Sequence, residues 1–230
     1  MNSTTSPYRV IAVCTGNICR SPMAELMLQA AFAEAGLEDA VVVDSAGTTA
    51  YEAGRPIDPR AARKLTTHNL VSDRHVAREW RSEWFAERHL ILALDVDHYG
   101  WLRASAPDEE SLSRIRMLRS FDPGLEGCDP LEQGIEDPWY GGHADFEAVW
   151  DQVQAAVPGI VRYVQEALSK KPAAAGERQS ATAAVPLPVD EHVHPEARRP
   201  HGGLRPNHPA AGSQLHIVQV QDSQQVRSIS

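Results

Sequence analysis

Residues 8–22 read YRVIAVCTGNICRSP, an apolar run that passes directly into two cysteines, a glycine, an arginine and a proline. Tyr8–Val13 suits a strand buried on both faces of a parallel sheet. Pro22 to Ala35 reads as a helix, with Ser21 as N-cap, Pro22 at the first helical position and Gly36 as the stop. A strand running through a short loop into a helix aims several backbone N–H groups at one point, and the helix dipole adds positive potential there. Arg20 brings a planar fork that can take two oxygens of a tetrahedral anion. Cys14 opens the loop, where the field favours its nucleophilic thiolate form. Cys14-x5-Arg20 therefore describes a phosphate-sized cup with a nucleophile at its base. No Walker lysine follows, and the loop is too short for a dinucleotide fingerprint.

Further strands are expected at Val41–Asp44, His89–Leu94 and Ile115–Leu118. Helices are expected from Pro59, capped by Asp58, to His68, with Asn69 in the left-handed stop position, and around Asp97–Ala104. Phe146, Val149, Trp150, Val153, Val157, Ile160, Val161, Val164 and Leu168 keep one apolar stripe at helical spacing. Pro158 interrupts that stripe and predicts a bend or local break. The alternation is that of an α/β protein: a parallel sheet with helices on both faces, its site at the carboxyl ends of the strands. Cys14–Ser21 sits at such an end.

Residues 7–170 form the expected catalytic domain. From 171 to 230 the chain changes character: seven prolines, from Pro172 to Pro209, stand among Ala, Gly, His and Gln, and no aromatic residue follows Tyr163. Such a segment buries too little apolar surface to offset its ordering entropy, so a disordered tail is expected, with LHIVQV (215–220) as its one strand-forming piece. Its five histidines are irregularly spaced and resemble no metal site.

Across all 230 residues the formal net charge is -9, which argues against general nucleic-acid binding. Any phosphate must be captured by a local field. No apolar run approaches the length of a membrane span. MNSTTSPYRV lacks the basic and apolar regions of a signal peptide, and three cysteines make no disulfide scaffold, so a reducing, cytoplasmic setting is expected. The basic residues are nearly all arginine, a hint of a GC-rich bacterial source.

Val13–Glu25 (VCTGNICRSPMAE) resembles the active-site loop of the low-molecular-weight protein tyrosine phosphatases. Ser45-Ala-Gly-Thr48 and Asp137-Pro-Trp-Tyr140 resemble that family's other two signature segments, in the same order. The resemblance covers about residues 8–168. It implies a four-stranded, flavodoxin-like three-layer sandwich, a phosphocysteine mechanism, and neither metal nor cofactor. It also implies that the loop residues Thr15, Gly16, Asn17, Ile18, Cys19 and Ser21 surround the bound phosphate. Ser21 would hydrogen-bond the nucleophilic sulfur, Asn17 would tie the loop to Ser45, and Cys19 would trap an oxidised Cys14 as a disulfide. Tyr51 falls where the family has an aromatic pocket wall. In relatives that prefer phosphoarginine a threonine stands at the position of Ile18, so Ile18 favours phosphotyrosine.

The leaving oxygen needs a proton, and a positioned carboxylic acid can supply it. Asp-Pro occurs four times, at Asp58, Asp122, Asp129 and Asp137. The first three read as caps or turns. Asp137 alone precedes two aromatics, Trp139 and Tyr140, able to hold a phenyl ring over the cup, and the proline biases it to extended backbone. Asp137 is therefore the expected acid, with Glu136 as fallback. A phosphotyrosine protein is the expected partner, and a bacterial tyrosine kinase and a host protein both fit. The rivals are arsenate reduction on the same scaffold and protein-arginine dephosphorylation. Arsenate reducers carry extra cysteines after the third strand, where Leu92–Tyr99 has none, and Cys128 is badly placed to relay a disulfide. A silent phosphotyrosine-binding module would need neither nucleophile nor acid.

Overall fold

The computed structural model describes residues 6–170. The expected tail, with LHIVQV at 215–220, lies outside the described residues. Four parallel strands form one sheet: β1 (Tyr8–Cys14), β2 (Val41–Gly47), β3 (Leu90–Ala93) and β4 (Ile115–Met117), ordered β2-β1-β3-β4. The helices are α1 (Arg20–Glu34), α2 (Pro59–Thr67), α3 (Trp84–Glu87), α4 (Val96–Ser105), α5 (Glu109–Arg114) and α6 (His143–Lys170), with four 3-10 turns between Leu118 and Tyr140.

The pleat of β1 divides the core. Val10, Ala12 and Cys14 face one layer, built on α1, α2 and α6, while Ile11 and Val13 face the other, with Trp80, Trp84, Phe85 and Leu102. All four β1 residues from Val10 to Val13 are fully buried, as the apolar run required. The chain leaves β1 for β2 on one side and returns through β3 on the other. The carboxyl end of β1 is thus the point where strand order switches, which opens a crevice there.

Several elements differ from the sequence expectation. β2 runs on to Gly47, paired with β1 along its length. Helix α1 begins at Arg20, two residues early, so Ser21 lies inside the first turn and caps nothing; Cys19 takes the cap position without a side-chain cap bond. The short α3 and α5 carry too few residues to show a periodicity. Pro158 does not interrupt α6. It lies on the exposed face of that helix, where only the Gln154 carbonyl forgoes a helical partner. Asp58 caps α2 through Arg60 N, and Asn69 adopts φ 61 after it, both as expected. No described helix is long and apolar enough to cross a membrane.

Candidate active site

Between Cys14 and Arg20 the backbone curls round a point above the sheet, and the turn requires a left-handed residue at Asn17, φ 58. Asparagine tolerates that conformation better than most residues. Its fully buried side chain then organises the loop. Asn17 Nδ2 donates to Ser21 Oγ at 2.9 Å and to Ser45 Oγ at 2.8 Å, and Oδ1 accepts from Arg78 N at 3.0 Å. Ser21 Oγ lies 3.0 Å from Cys14 Sγ. The first turn of α1 thus spends its serine on the Cys14 sulfur rather than on a helix cap.

Beneath the loop, β2 has to come close. A Cβ on Gly47 would stand 2.5 Å from Thr15 O. Glycine permits that approach, and Thr48 N and Thr49 N then reach the carbonyls of Cys14 and Thr15 at 2.8 and 3.1 Å. Ser45 donates onward to Glu25, whose carboxyl burial pushes above its ordinary value, against the pull of that hydrogen bond. Burial pushes the His75 ring below its ordinary value, and because a carbonyl only accepts, its Nε2 donates to Asn17 O at 2.7 Å.

Arg20 is 3% exposed and reaches across the cup. Its Nη1 donates to Asp95 Oδ2 at 2.6 Å and to Ile135 O at 3.0 Å, and its Nη2 pairs with Asp137 Oδ2 at 3.0 Å. Burial opposes ionisation of Asp95, but His98 and Arg20 outweigh it and hold the carboxyl well below the usual range. Asp137, half-exposed, starts the 3-10 turn Pro138–Tyr140 with φ -78 and ψ 113, and its Oδ1 accepts from Trp139 N at 3.2 Å. Arg60 fastens this segment: its Nη1 donates to Trp139 O at 3.1 Å and Gly141 O at 2.9 Å, while Asp58 grips its other nitrogens. Asp58 N in turn donates to Ile18 O at 2.8 Å, so one Asp–Arg pair links the cup to the segment above it.

These groups surround a cavity of about 430 Å³, within the usual range for small-ligand sites. Cys14, Cys19 and Arg20 form its floor, Thr15, Gly16 and Ile18 its near wall, and Tyr51, Trp139 and Tyr140 its rim. Tyr51 and Tyr140 are 87% and 97% exposed, which leaves their rings free to close on an entering group. Asp137 lines this cavity; Glu136 opens instead into a neighbouring groove with Asp97 and Trp101. Ser21, Asn17 and Ser45 lie behind the wall, joined as described.

Cys19 is buried beside Cys14, and both thiols are free. Burial, then the charges of Asp58, Cys14 and Asp137, push the Cys19 thiol far up. Cys128 is also free and belongs to neither cavity wall. The sequence reading passed over Glu25, Arg60, His75, Arg78, Asp95 and His98. Of these, Asp95 alone carried a usable signal, two residues past the carboxyl end of β3, the strand beside β1.

Residues 9–173 match the family model described as low molecular weight phosphotyrosine protein phosphatase. A low molecular weight protein-tyrosine-phosphatase of Streptomyces coelicolor is 43% identical over 159 residues, 69% of this chain and 94% of the relative. Low molecular weight protein-tyrosine phosphatase A of Mycobacterium tuberculosis is 42% identical over 166 residues, 72% of this chain and 97% of the relative. The crystal structure of a protein tyrosine phosphatase from Entamoeba histolytica superposes with a TM-score of 0.64 at 28% identity, covering 70% of this chain and 99% of that one.

Proposed function

The chain belongs to the low-molecular-weight phosphotyrosine protein phosphatase family, and from that premise we propose how its own residues hydrolyse phosphotyrosine in proteins. Cys14 attacks phosphorus in line. Arg20 and the loop N–H groups from Thr15 to Arg20 hold the three equatorial oxygens as charge spreads over them. Asp137 gives its proton to the departing phenolate. The same carboxylate then takes a proton from water, which attacks the phosphocysteine and frees inorganic phosphate and Cys14. Ser21 supports the sulfur from behind, and Tyr51, Trp139 and Tyr140 clasp the phenyl ring.

One observation carries this assignment: Cys14, Arg20 and Asp137 line one cavity, with the acid already 3.0 Å from the phosphate clamp. An incoming phosphate displaces the Asp137 carboxylate from Arg20 Nη2 and leaves it at the mouth, where the leaving oxygen must pass.

Cys19 adds protection against peroxide. Oxidation of Cys14 by peroxide gives a sulfenic acid, and attack by the Cys19 sulfur expels water and forms a disulfide that a thiol reductant reopens. Two adjacent buried free thiols suit a reducing compartment such as the cytoplasm. A bacterial tyrosine kinase or a host protein fits as the phosphorylated partner.

The test is hydrolysis of p-nitrophenyl phosphate with chelator present. Turnover is expected in the wild type, abolished by Cys14→Ser and strongly reduced by Asp137→Ala. A fully active Asp137→Ala variant would move the acid elsewhere, with Glu136 next. A folded, reduced wild type without turnover would overturn the mechanism. Preference for a phosphoarginine peptide over a phosphotyrosine peptide would overturn the role given to Ile18.

A further inference from the structure

Helix α4 points its first turn at the cup, and the mechanism above makes no use of the histidine it carries. Asp95 caps this helix, its Oδ1 accepting from His98 N at 2.9 Å. The His98 ring is 3% exposed and folds back on the same carboxylate, with Nδ1 2.9 Å from Oδ1. Its other nitrogen, Nε2, lies 2.9 Å from Thr15 Oγ1, on the first residue after the nucleophile. Arg20 closes the circuit: Nη1 meets the second Asp95 oxygen at 2.6 Å, and Nη2 reaches Thr15 Oγ1 at 3.5 Å. Four side chains from β1's loop, α1, the end of β3 and α4 thus form one ring.

The ring holds together through contacts of two kinds. Nδ1 stands 2.9 Å from Asp95 Oδ1 as a charge contact and lacks the alignment of a hydrogen bond, whereas Nε2 and the Thr15 hydroxyl form a hydrogen bond in which either can donate. Thr15 Oγ1 also lies within reach of Arg20. A histidine that merely filled space would need no partner in the loop.

We propose that His98 is a positioning residue for phosphate capture: through Thr15 it sets the start of the cup, and through Asp95 it holds one edge of the Arg20 fork. This rests on the phosphatase reading of the cup. It extends the site to the carboxyl end of β3 and the first turn of α4.

The ring geometry supplies discriminating variants. A Gln side chain can place its amide near the position of Nε2 and keep the bond to Thr15. An Asn side chain reaches only as far as Nδ1, beside Asp95, and loses the bond to Thr15. Binding of inorganic phosphate is read by calorimetry, kcat and KM with p-nitrophenyl phosphate, and Tm by thermal melting, for His98→Ala, His98→Asn, His98→Gln, Thr15→Val and Thr15→Val/His98→Ala. His98→Ala and His98→Asn are expected to weaken phosphate binding about tenfold, the equivalent of one hydrogen bond, while His98→Gln stays within about threefold. In the Thr15→Val background His98→Ala should add less than about twofold. A lowered Tm with unchanged phosphate affinity in His98→Ala and His98→Asn overturns the proposal. So does an equal loss in both Thr15 backgrounds. Should His98→Ala fail to fold, the Asn–Gln contrast decides alone. Phosphate binding is measured without turnover, so a wild type that binds phosphate but does not hydrolyse the ester sinks the phosphatase mechanism and leaves this test intact.

Discussion

Replacing Asn17 tests whether the loop is held by its side chain, by its backbone conformation, or by both. The side chain makes three hydrogen bonds, to Ser21, Ser45 and Arg78 N, at 2.9, 2.8 and 3.0 Å. In Asn17→Ala the two hydroxyls keep other partners, since Ser21 still meets Cys14 Sγ and Ser45 still donates to Glu25. Arg78 N–H, on a part-buried bond, keeps none, and an orphaned donor costs about 1–3 kcal/mol when it is cut off from water. The two lost serine bonds add about 0.5–1.5 kcal/mol each. Alanine at φ 58 adds roughly 1 kcal/mol more of left-handed strain. The expected loss is therefore about 3–7 kcal/mol, a large share of an ordinary domain's ~5–15 kcal/mol. Asn17→Gly loses the same three bonds without the strain, so it should retain about 1 kcal/mol relative to Asn17→Ala. Urea unfolding with a shared m-value measures both, and turnover at low urea reads the loop itself. An Asn17→Ala loss below about 1 kcal/mol, or a Gly variant no better than the Ala variant, would refute the reasoning.

Arg60→Met removes both bonds to the Trp139 and Gly141 carbonyls and the partner of Asp58. It should destabilise by roughly 1–2 kcal/mol and lower kcat for phenyl phosphate several-fold more than for p-nitrophenyl phosphate, whose leaving group needs the acid least. Gly159→Ala would set a Cβ 2.1 Å from Phe121 O, so thermal unfolding should show a loss of about 1–3 kcal/mol. Gly100→Ala is its control: a Cβ there meets nothing within 4 Å, and the helical preference of alanine should leave stability equal or up to about 1 kcal/mol higher. Burial raises the folded-state pKa of Glu25 above the ordinary 4.5. Its contribution to stability is complete below that ordinary value and is lost as pH rises through the raised one. Glu25→Gln should accordingly flatten the decline of stability across that window, in urea midpoints taken from pH 4 to pH 8.

What the sequence disclosed was chemistry confined to contiguous residues. Cys14 to Ser21 lie within one short loop, so the proposed nucleophile, the proposed clamp and the loop that joins them could be read together. Asp137 was set apart from three other Asp-Pro pairs because two aromatics follow it directly, and it lines the same cavity as Cys14 and Arg20. Gly36 and Asn69 announced helix ends because left-handed backbone restricts residue choice. Asp95 meets Arg20 across 75 positions, Arg60 meets Trp139 across 79, and His98 meets Thr15 across 83. Nothing local marks such pairs; only the order β2-β1-β3-β4 brings them together. Ser21 shows the complementary error. Serine before Pro22 satisfies every rule for a helix cap, yet the tight loop draws the helix start back to Arg20, and the hydroxyl goes to sulfur.

The charges of the site explain why Asp137 stands so close to Arg20. Arg20 is a buried cation, and a buried cation without partners is strongly disfavoured. Asp95 pairs with Nη1, and Asp137 brings Nη2 a carboxylate at 3.0 Å, nearer than the Thr15 hydroxyl at 3.5 Å. The empty cup thus holds two carboxylates on one guanidinium, an arrangement stable without ligand but hostile to a third anion. In the mechanism proposed above, a phosphate ester takes Nη2 only as Asp137 leaves it, so capture of the ester and release of Asp137 into the mouth are one event. That event is local: with a chain charge of -9, no general attraction of the protein for anions could stand in for it.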